Sequence, residues 1–446
     1  MADPSAPGDF CFVHAADLHL DTPFKGVSET APRIGAALRE ASLDAFDQLV
    51  QLCLDRLAAF LLIAGDVYDG AERGLRAQLR FRDGLERLSA AGIYTFVVHG
   101  NHDPVDEGWS AVGVWPERVH FFGAGEVESV PVARDGALIA TVQGISYGHR
   151  EVTENLALRF TRPRSDGLQI GLLHCNVAGA PDGHASYSPC TLADLEDVGL
   201  DYWALGHIHS RTVMAGEPYG GKPFVVYPGN LQARSPKPSE RGPKGATVVE
   251  VRGGRIAAVE AVACDVVRFS EIDLDLRGCD DLVEVRNALV DRASEEVKGS
   301  AGRSLIVRVR LTGRSAVHGE LARDGVLSGL LAAVREDCDG TDPFVWWDRI
   351  EDATRALIDL DRAREAGDFV GDLLATAETL GGGTGSPALP LPASASLGEE
   401  ILEELLGKMP TELRSRAIGL LGTELSVGEL IETAAALALD HLEVAS

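Results

Sequence analysis

Five apolar runs in this chain finish in Asp, His or Asn. FCFVHAADLHL (10–20) ends in Asp17 and His19, and FLLIAGDVYD (60–69) ends in Asp66 and Asp69. YTFVVHGNHD (94–103) carries Asn101 and His102, LQIGLLHCN (168–176) carries His174, and YWALGHIHS (202–210) carries His207 and His209. Each run reads as a buried strand. The C-terminal edge of an open α/β sheet is where ligand-handling groups collect. A single histidine at a strand end is ordinarily a hydrogen-bonded structural residue, and His14, His120, His149, His318 and His441 are read that way. Asp17, His19, Asp66, Asn101, His174, His207 and His209 together are not. So many desolvated polar groups on one edge are costly unless paired or bound to metal.

Imidazole, carboxylate and amide ligands without thiolate suit Mn, Fe or Zn better than Mg or Ca. Seven candidates are too many for one ion, but they fit two ions that share a carboxylate. Asp66, preceded by glycine at a strand end, is the natural bridge. Ions paired about 3.5–4 Å apart generate hydroxide near neutral pH and clamp the oxygens of an in-line phosphoryl displacement. Within HGNHDP (99–104), Gly100 is expected to permit a tight turn, Asn101 to offer a neutral ligand oxygen and His102 to handle a proton. Structural roles are expected for His99 and Asp103.

These motifs, in this order and spacing, resemble those of the calcineurin-like metallophosphoesterases. Within that family the chain is similar to the SbcD/YhaO-type DNA repair exonucleases, strongly over about residues 10–263 and more weakly to about residue 380. YPGNLQARSPKPSERGPKG (227–245) and DGHASYSPC (182–190) resemble the YhaO-type branch. The resemblance implies one metal on Asp17, His19, Asp66 and His209, and a second on Asp66, Asn101, His174 and His207. Manganese is the implied ion. His102 is implied to be the non-ligand histidine that donates a proton to the leaving 3′ oxygen or stabilises the transition state. Asp69 stands where related phosphoesterases pair an acid with that histidine; some nuclease relatives carry histidine there.

The elements that must position these residues alternate strand and helix. After the first strand comes a helical pattern with Phe46, Leu49, Val50, Cys53 and Leu57 on one face. A charged helix runs to about Ala91, and later strands include 137–146, 224–230 and 246–251. This order suggests a layered α/β sandwich. Its character changes near Val266, where strands at 266–276 and 304–313 alternate with helices to about Val297 and over about 319–335. The expected architecture is an α/β fold: an αββα β-sandwich metallophosphoesterase core (1–263), a small α/β capping domain that positions DNA (264–380), a linker (381–396) and a C-terminal helical region (397–446).

Composition bounds the rest. The chain has 446 residues and a formal charge of −27, which lowers the prior for broad nucleic-acid binding without forbidding local phosphate contacts. Against that acidity, Arg234, Lys237, Arg241 and Lys244 form a local basic cluster, expected to contact substrate phosphates. Tyr187 and His184 are candidates to line the substrate path. The seven cysteines are widely spaced and contain no CxxC, which excludes a zinc ribbon and argues against a disulfide framework. No stretch suits a bilayer and the first residues lack signal-peptide character, so a cytoplasmic protein is expected. There is no GxxxxGK[ST] loop, so ATP hydrolysis would belong to a partner.

The favoured expectation is a Mn-dependent DNA exonuclease, 3′–5′ on double-stranded ends with endonuclease activity as an option. The resemblance implies a coiled-coil ATPase partner of the SbcC/YhaN type and a homodimer. The alternatives are a calcineurin-like enzyme acting on a non-DNA phosphoester and a non-catalytic scaffold on the same fold.

Overall fold

The computed structural model describes residues 8–357 apart from 23–31, 71–73, 107–110, 180–186, 217–222 and 339, together with Gly371. The linker, both C-terminal helical patterns and His184 lie outside the described residues. In chain order the first part comprises β1 (Phe10–Ala15), α1 (Pro32–Asp55), β2 (Phe60–Ala64), α2 (Leu75–Ala90), β3 (Tyr94–Val98), β4 (Val119–Phe121), β5 (Glu128–Arg134), β6 (Ala137–Ile145) and β7 (Leu168–His174). It continues with β8 (Asn176–Val177), β9 (Pro189–Cys190), α3 (Leu192–Val198), β10 (Tyr202–Gly206), β11 (Thr212–Ala215), β12 (Phe224–Tyr227), β13 (Gly245–Arg252) and β14 (Arg255–Ala263). Then come β15 (Val267–Asp275), α4 (Leu282–Gly299), β16 (Ser304–Thr312), α5 (His318–Leu321), α6 (Val326–Asp337) and β17 (Val345–Asp352).

Two six-stranded sheets form the core, ordered β14-β13-β1-β2-β3-β4 and β11-β12-β10-β7-β6-β5. Period-two alternation decides which side chains face where. On β2, Phe60, Leu62 and Ala64 join Phe12, Phe96, Ile170, Tyr202 and Val226 in the layer between the sheets. Leu61 and Ile63 point the other way, against Phe46, Leu49, Phe81 and Leu85 of α1 and α2. Beyond the second sheet, Trp203, Leu205 and Leu173 pack with Leu195 of α3 and Leu156. The order of layers is therefore αββα.

The inner strands β1, β2 and β3 are parallel neighbours, as are β6, β7, β10 and β12. Parallel pairing brings the C-terminal ends of β1, β2 and β3 to one edge, and those of β7 and β10 to one edge of the second sheet. The polar strand ends are delivered there. β15, β16 and β17 form a three-stranded sheet of their own. The segment expected as one helix over about 319–335 is broken: α5 ends at Leu321 and α6 starts at Val326, with Gly325 at φ +83° between them.

The chain divides into two compact units. The first takes in Met1–Ile272, Ala288–Val309 and Gly329–Ile350; the second takes Asp273–Asn287, Arg310–Ser328 and residues from Glu351 onward. Within the first, Ile34, Leu38 and Ala41 of α1 pack with Val267, Phe269, Ile306 and Phe344. Within the second, Arg310 forks onto Asp273 through two 2.9 Å bonds.

Candidate metal centre

All seven candidate ligands are buried and lie at the strand ends. Their backbone is unusual. Asp17, His19, Asp66 and His207 have φ of 52°, 43°, 50° and 105°. Non-glycine residues in this region cost on the order of 1–3 kcal/mol each, and such strain concentrates at functional sites. Backbone bonds hold the turns together. Asp17 N donates to Gly65 O (3.1 Å) and His19 N to Asp66 O (3.0 Å). His207 N donates to both Asp17 oxygens at 3.1 and 3.0 Å, which links the two sheets.

Three triads of donor atoms converge, each with all members within 4.8 Å of one another: Asp17, His19 and His209; Asp17, Asp66 and His174; and His19, Asp69 and His102. His174 Nδ1 lies 2.8 Å from the Ala64 carbonyl, which can only accept, so Nδ1 carries the proton. In the neutral ring the Nε2 lone pair then faces Asn101 Oδ1 at 3.0 Å and Asp66 Oδ2 at 3.5 Å. His209 Nδ1 is likewise held by Glu240 Oε1 at 2.8 Å, leaving its Nε2 lone pair 3.2 Å from His19 Nε2. His19 Nδ1 faces Asp69 Oδ1 at 3.4 Å.

The electrostatics favour a cation. Burial first, and then the Asp66 charge, push the Asp17 carboxyl well above the usual carboxylate range. Burial holds His19 well below the ordinary imidazole value, helped by the Arg234 charge. His209 is also lowered by burial, with Glu240 opposing. Neutral imidazole lone pairs and buried carboxylate oxygens thus point at one another with too few protons to bridge them. Divalent cations resolve this arrangement, and the residues present fit two of them.

Close approach explains two glycines. A Cβ on Gly206 would stand 1.8 Å from Ala64 O and 2.9 Å from His174 Nδ1. One on Gly100 would stand 2.3 Å from Asp66 Oδ1. Gly100 does not have the positive φ of a glycine turn. Contrary to expectation it is needed for space beside Asp66 and His174. Asp103 closes the same loop, accepting Gly100 N and Val67 N at 2.9 Å each.

His102 stands beside the ligands, half-buried, with its backbone N donating to Asp66 Oδ1 at 2.9 Å. Its Nδ1 lies 2.7 Å from Asp69 Oδ1. Burial pulls the His102 pKa down, but the Asp69 hydrogen bond and the Asp66 and Asp69 charges outweigh it and leave it raised. The bonds from His102 and His19 hold Asp69 far below the usual carboxylate range, against its burial.

The basic cluster divides. Arg234 Nη1 reaches Asp69 Oδ1 at 3.3 Å and so lies at the site. Lys237 is exposed. Arg241 is turned aside, with Nε donating to Pro236 O at 3.1 Å and its guanidinium paired with Glu271. Lys244 does not meet the expectation of a substrate contact. It is buried, and its ammonium donates to His209 O (2.8 Å) and Ser239 O (2.6 Å), where a chain turn needs its carbonyls satisfied. Tyr187 packs edge-on against His207, ring centroids 5.7 Å apart. Among the histidines expected to be structural, His14 Nδ1 meets Tyr202 OH at 3.0 Å and His318 Nδ1 meets Thr354 Oγ1 at 2.9 Å. Sequence reading missed Glu240. Its one signal was being the only acid in the basic segment 227–245.

Residues 11–211 match the calcineurin-like phosphoesterase family, and residues 269–355 match the middle domain of metallophosphoesterase YhaO. The chain is 36% identical over 346 residues to the uncharacterized metallophosphoesterase YhaO of Bacillus subtilis, covering 78% of this chain and 82% of the relative. This chain belongs to the calcineurin-like metallophosphoesterases, in the YhaO family. More distant similarity reaches a DNA repair protein and a nuclease subunit. It is 26% identical to the DNA double-strand break repair protein Mre11 of Thermoplasma acidophilum over 48% of this chain and 57% of that one. It is 25% identical to the SbcD component of nuclease SbcCD of Bacillus subtilis over 56% of this chain and 68% of that one. Metallophosphoesterases cleave phosphoesters hydrolytically. Among the described residues no helix is long and apolar enough to cross a membrane.

Proposed function

We propose that this metallophosphoesterase is a two-metal DNA exonuclease, working 3′–5′ on double-stranded ends, with manganese as its ion. The observation that carries the reading is the His102–Asp69 pair at 2.7 Å, set beside the donor triads Asp17, His19, His209 and Asp17, Asp66, His174. Asp17, His19, Asp66 and His209 would hold one ion, and Asp66, Asn101, His174 and His207 the other. Bound there, the ions would supply an activated water and neutralise charge on the phosphate.

The chain's own residues do the rest. Asp69 keeps the proton on His102 Nδ1, so Nε2 is the nitrogen that protonates the leaving 3′ oxygen. The raised pKa of His102 favours the protonated form that this step consumes. Arg234 brings positive charge beside Asp69 and is the residue best placed to hold a substrate phosphate. The distant Mre11 and SbcD relatives support DNA as the substrate. The segment 264–380 would act as a capping domain that positions the duplex. A coiled-coil ATPase of the SbcC/YhaN type would supply ATP-driven steps, a homodimer would present two sites to one DNA, and the setting would be the cytoplasm.

The charge of −27 favours a second reading, a small non-DNA phosphoester. A substrate panel separates the two. Purified protein is assayed in Mn²⁺ on linear duplex DNA, on bis-p-nitrophenyl phosphate and on a phosphopeptide. Turnover of the duplex above the small esters supports the nuclease. Hydrolysis of the small esters while the duplex stays intact, with and without an ATPase partner, transfers the function to the second reading.

A further inference from the structure

We infer that Glu240 is a positioning residue that ties the metal-facing ring of His209 to the segment carrying Arg234. The inference rests on the proposed metal site but not on DNA as substrate. Glu240 ends a 3₁₀ turn (Pro238–Glu240) and is buried. Three groups on two segments donate to its carboxylate. His209 Nδ1 donates to Oε1 at 2.8 Å, while Asn230 Nδ2 and Arg234 N donate to Oε2 at 2.7 and 3.2 Å. Lys244 braces the same turn through the carbonyls of His209 and Ser239.

The arrangement has two consequences. A carboxylate that accepts from Nδ1 fixes the tautomer and rotation of His209, so that Nε2 is presented beside His19 Nε2. The other oxygen of the same carboxylate fixes the backbone at Arg234, whose side chain reaches Asp69, the partner of His102. A continuous path of contacts therefore runs from His209 through Glu240 and Arg234 to Asp69 and His102. One side chain sets both the ligand geometry on the His19/His209 side and the reach of Arg234. Both functions require two oxygens that only accept. Glutamine offers one acceptor and one donor, and its NH₂ would face the donors on Asn230 and Arg234 or on His209.

The test is manganese binding by calorimetry on metal-stripped protein, with wild type, Glu240→Gln, Glu240→Asp and Arg234→Ala. The expected result is that Glu240→Gln weakens one of the two binding events by roughly 10–100-fold and leaves the other within about twofold. Glu240→Asp keeps the charge but shortens the reach, and should weaken the same event by a smaller factor. Arg234→Ala removes a positive charge from beside the ligands and should weaken neither event. Circular dichroism of the stripped proteins identifies the folded variants, and Glu240→Asp carries the test if Glu240→Gln does not fold. Wild-type manganese affinities in a folded Glu240 variant would overturn the inference. A protein that binds two ions but cleaves no DNA would refute the nuclease reading and leave this inference standing.

Discussion

Asp69 Oδ1 lies 2.7 Å from His102 Nδ1, 3.4 Å from His19 Nδ1 and 3.3 Å from Arg234 Nη1. A single carboxylate therefore touches the proposed proton donor, a candidate metal ligand and a nearby guanidinium. In the proposed reading, side chains on one side hold charge in place, while the half-buried imidazole of His102 would exchange a proton with substrate.

The His102–Asp69 pair gives the sharpest mutational expectation. Replacing His102 with alanine should lower kcat by about 10²–10⁴-fold, with manganese affinity unchanged, because His102 is not among the proposed ligands. Asp69→Asn should lower kcat less, and should move the basic limb of the pH–rate profile to lower pH, because the Asp69 hydrogen bond and charge that raise the His102 pKa are lost. Parallel kcat measurements and manganese titrations check this. A matched loss of metal in His102→Ala would instead make His102 a ligand.

Metal removal should destabilise the fold. Asp17 and Asp66 are buried beside each other, so stripping the ions leaves two carboxyl groups crowded with no counter-charge, a cost that shows in the raised Asp17 pKa. Each site saturated at a hundredfold over its Kd contributes about 2.7 kcal/mol. Adding manganese to stripped wild-type protein should raise Tm, and Asp66→Asn should largely abolish that rise if, as proposed, both sites share this carboxylate. Differential scanning calorimetry measures it.

Gly206 should tolerate no side chain. Its Cβ would fall 1.8 Å from the Ala64 carbonyl that also orients His174. Gly206→Ala should cost about 1–3 kcal/mol or more from overpacking alone, and also weaken metal binding through His174. Gly136, with nothing within 4 Å of its Cβ position, is not a clean control because its φ is +82°. Gly319 has the same open space with no positive φ, and Gly319→Ala should be close to neutral. Urea denaturation compares the two.

His14 predicts acid sensitivity. Burial holds its pKa down at about 3, against an ordinary value of 6.5. Between these values the unfolded chain binds a proton that the folded chain does not. Stability therefore falls as pH drops below 6.5, by up to about 1.4 kcal/mol per pH unit, and the loss levels off below about 3. His14→Asn removes this proton and retains a partner for Tyr202 OH. Its unfolding free energy in EDTA should decline less steeply over that range, as chemical denaturation at several pH values would show.

Much of this arrangement is legible in the sequence because the site is built at strand ends. Continuous apolar runs mark β1, β2, β3, β7 and β10 as strands buried on both faces, and polar residues at their ends are hard to explain otherwise. Parallel pairing then brings the ends together without further information. Gly100 was misread because a glycine beside Asn and Asp looks like a turn, whereas here it makes room for Asp66 and His174. Lys244 is expected at the substrate because a basic residue stands out in an acidic chain, and Glu240 carries no expectation; only the fold shows that the chain turns back onto His209 and buries both. The break between α5 and α6 follows from a turn at Gly325 that apolar periodicity alone does not reveal.

DNA hydrolysis at this site, through bound metal and with His102 as the proton donor, is tested by the shortening of 5′-end-labelled linear duplex DNA by the purified full chain in Mn²⁺, in EDTA, and with His102→Ala. Wild-type protein should remove nucleotides progressively from the 3′ end in Mn²⁺ and none in EDTA, and the variant should do so at least about a hundredfold more slowly. Equal shortening by wild type and His102→Ala, or shortening that persists in EDTA, would contradict it.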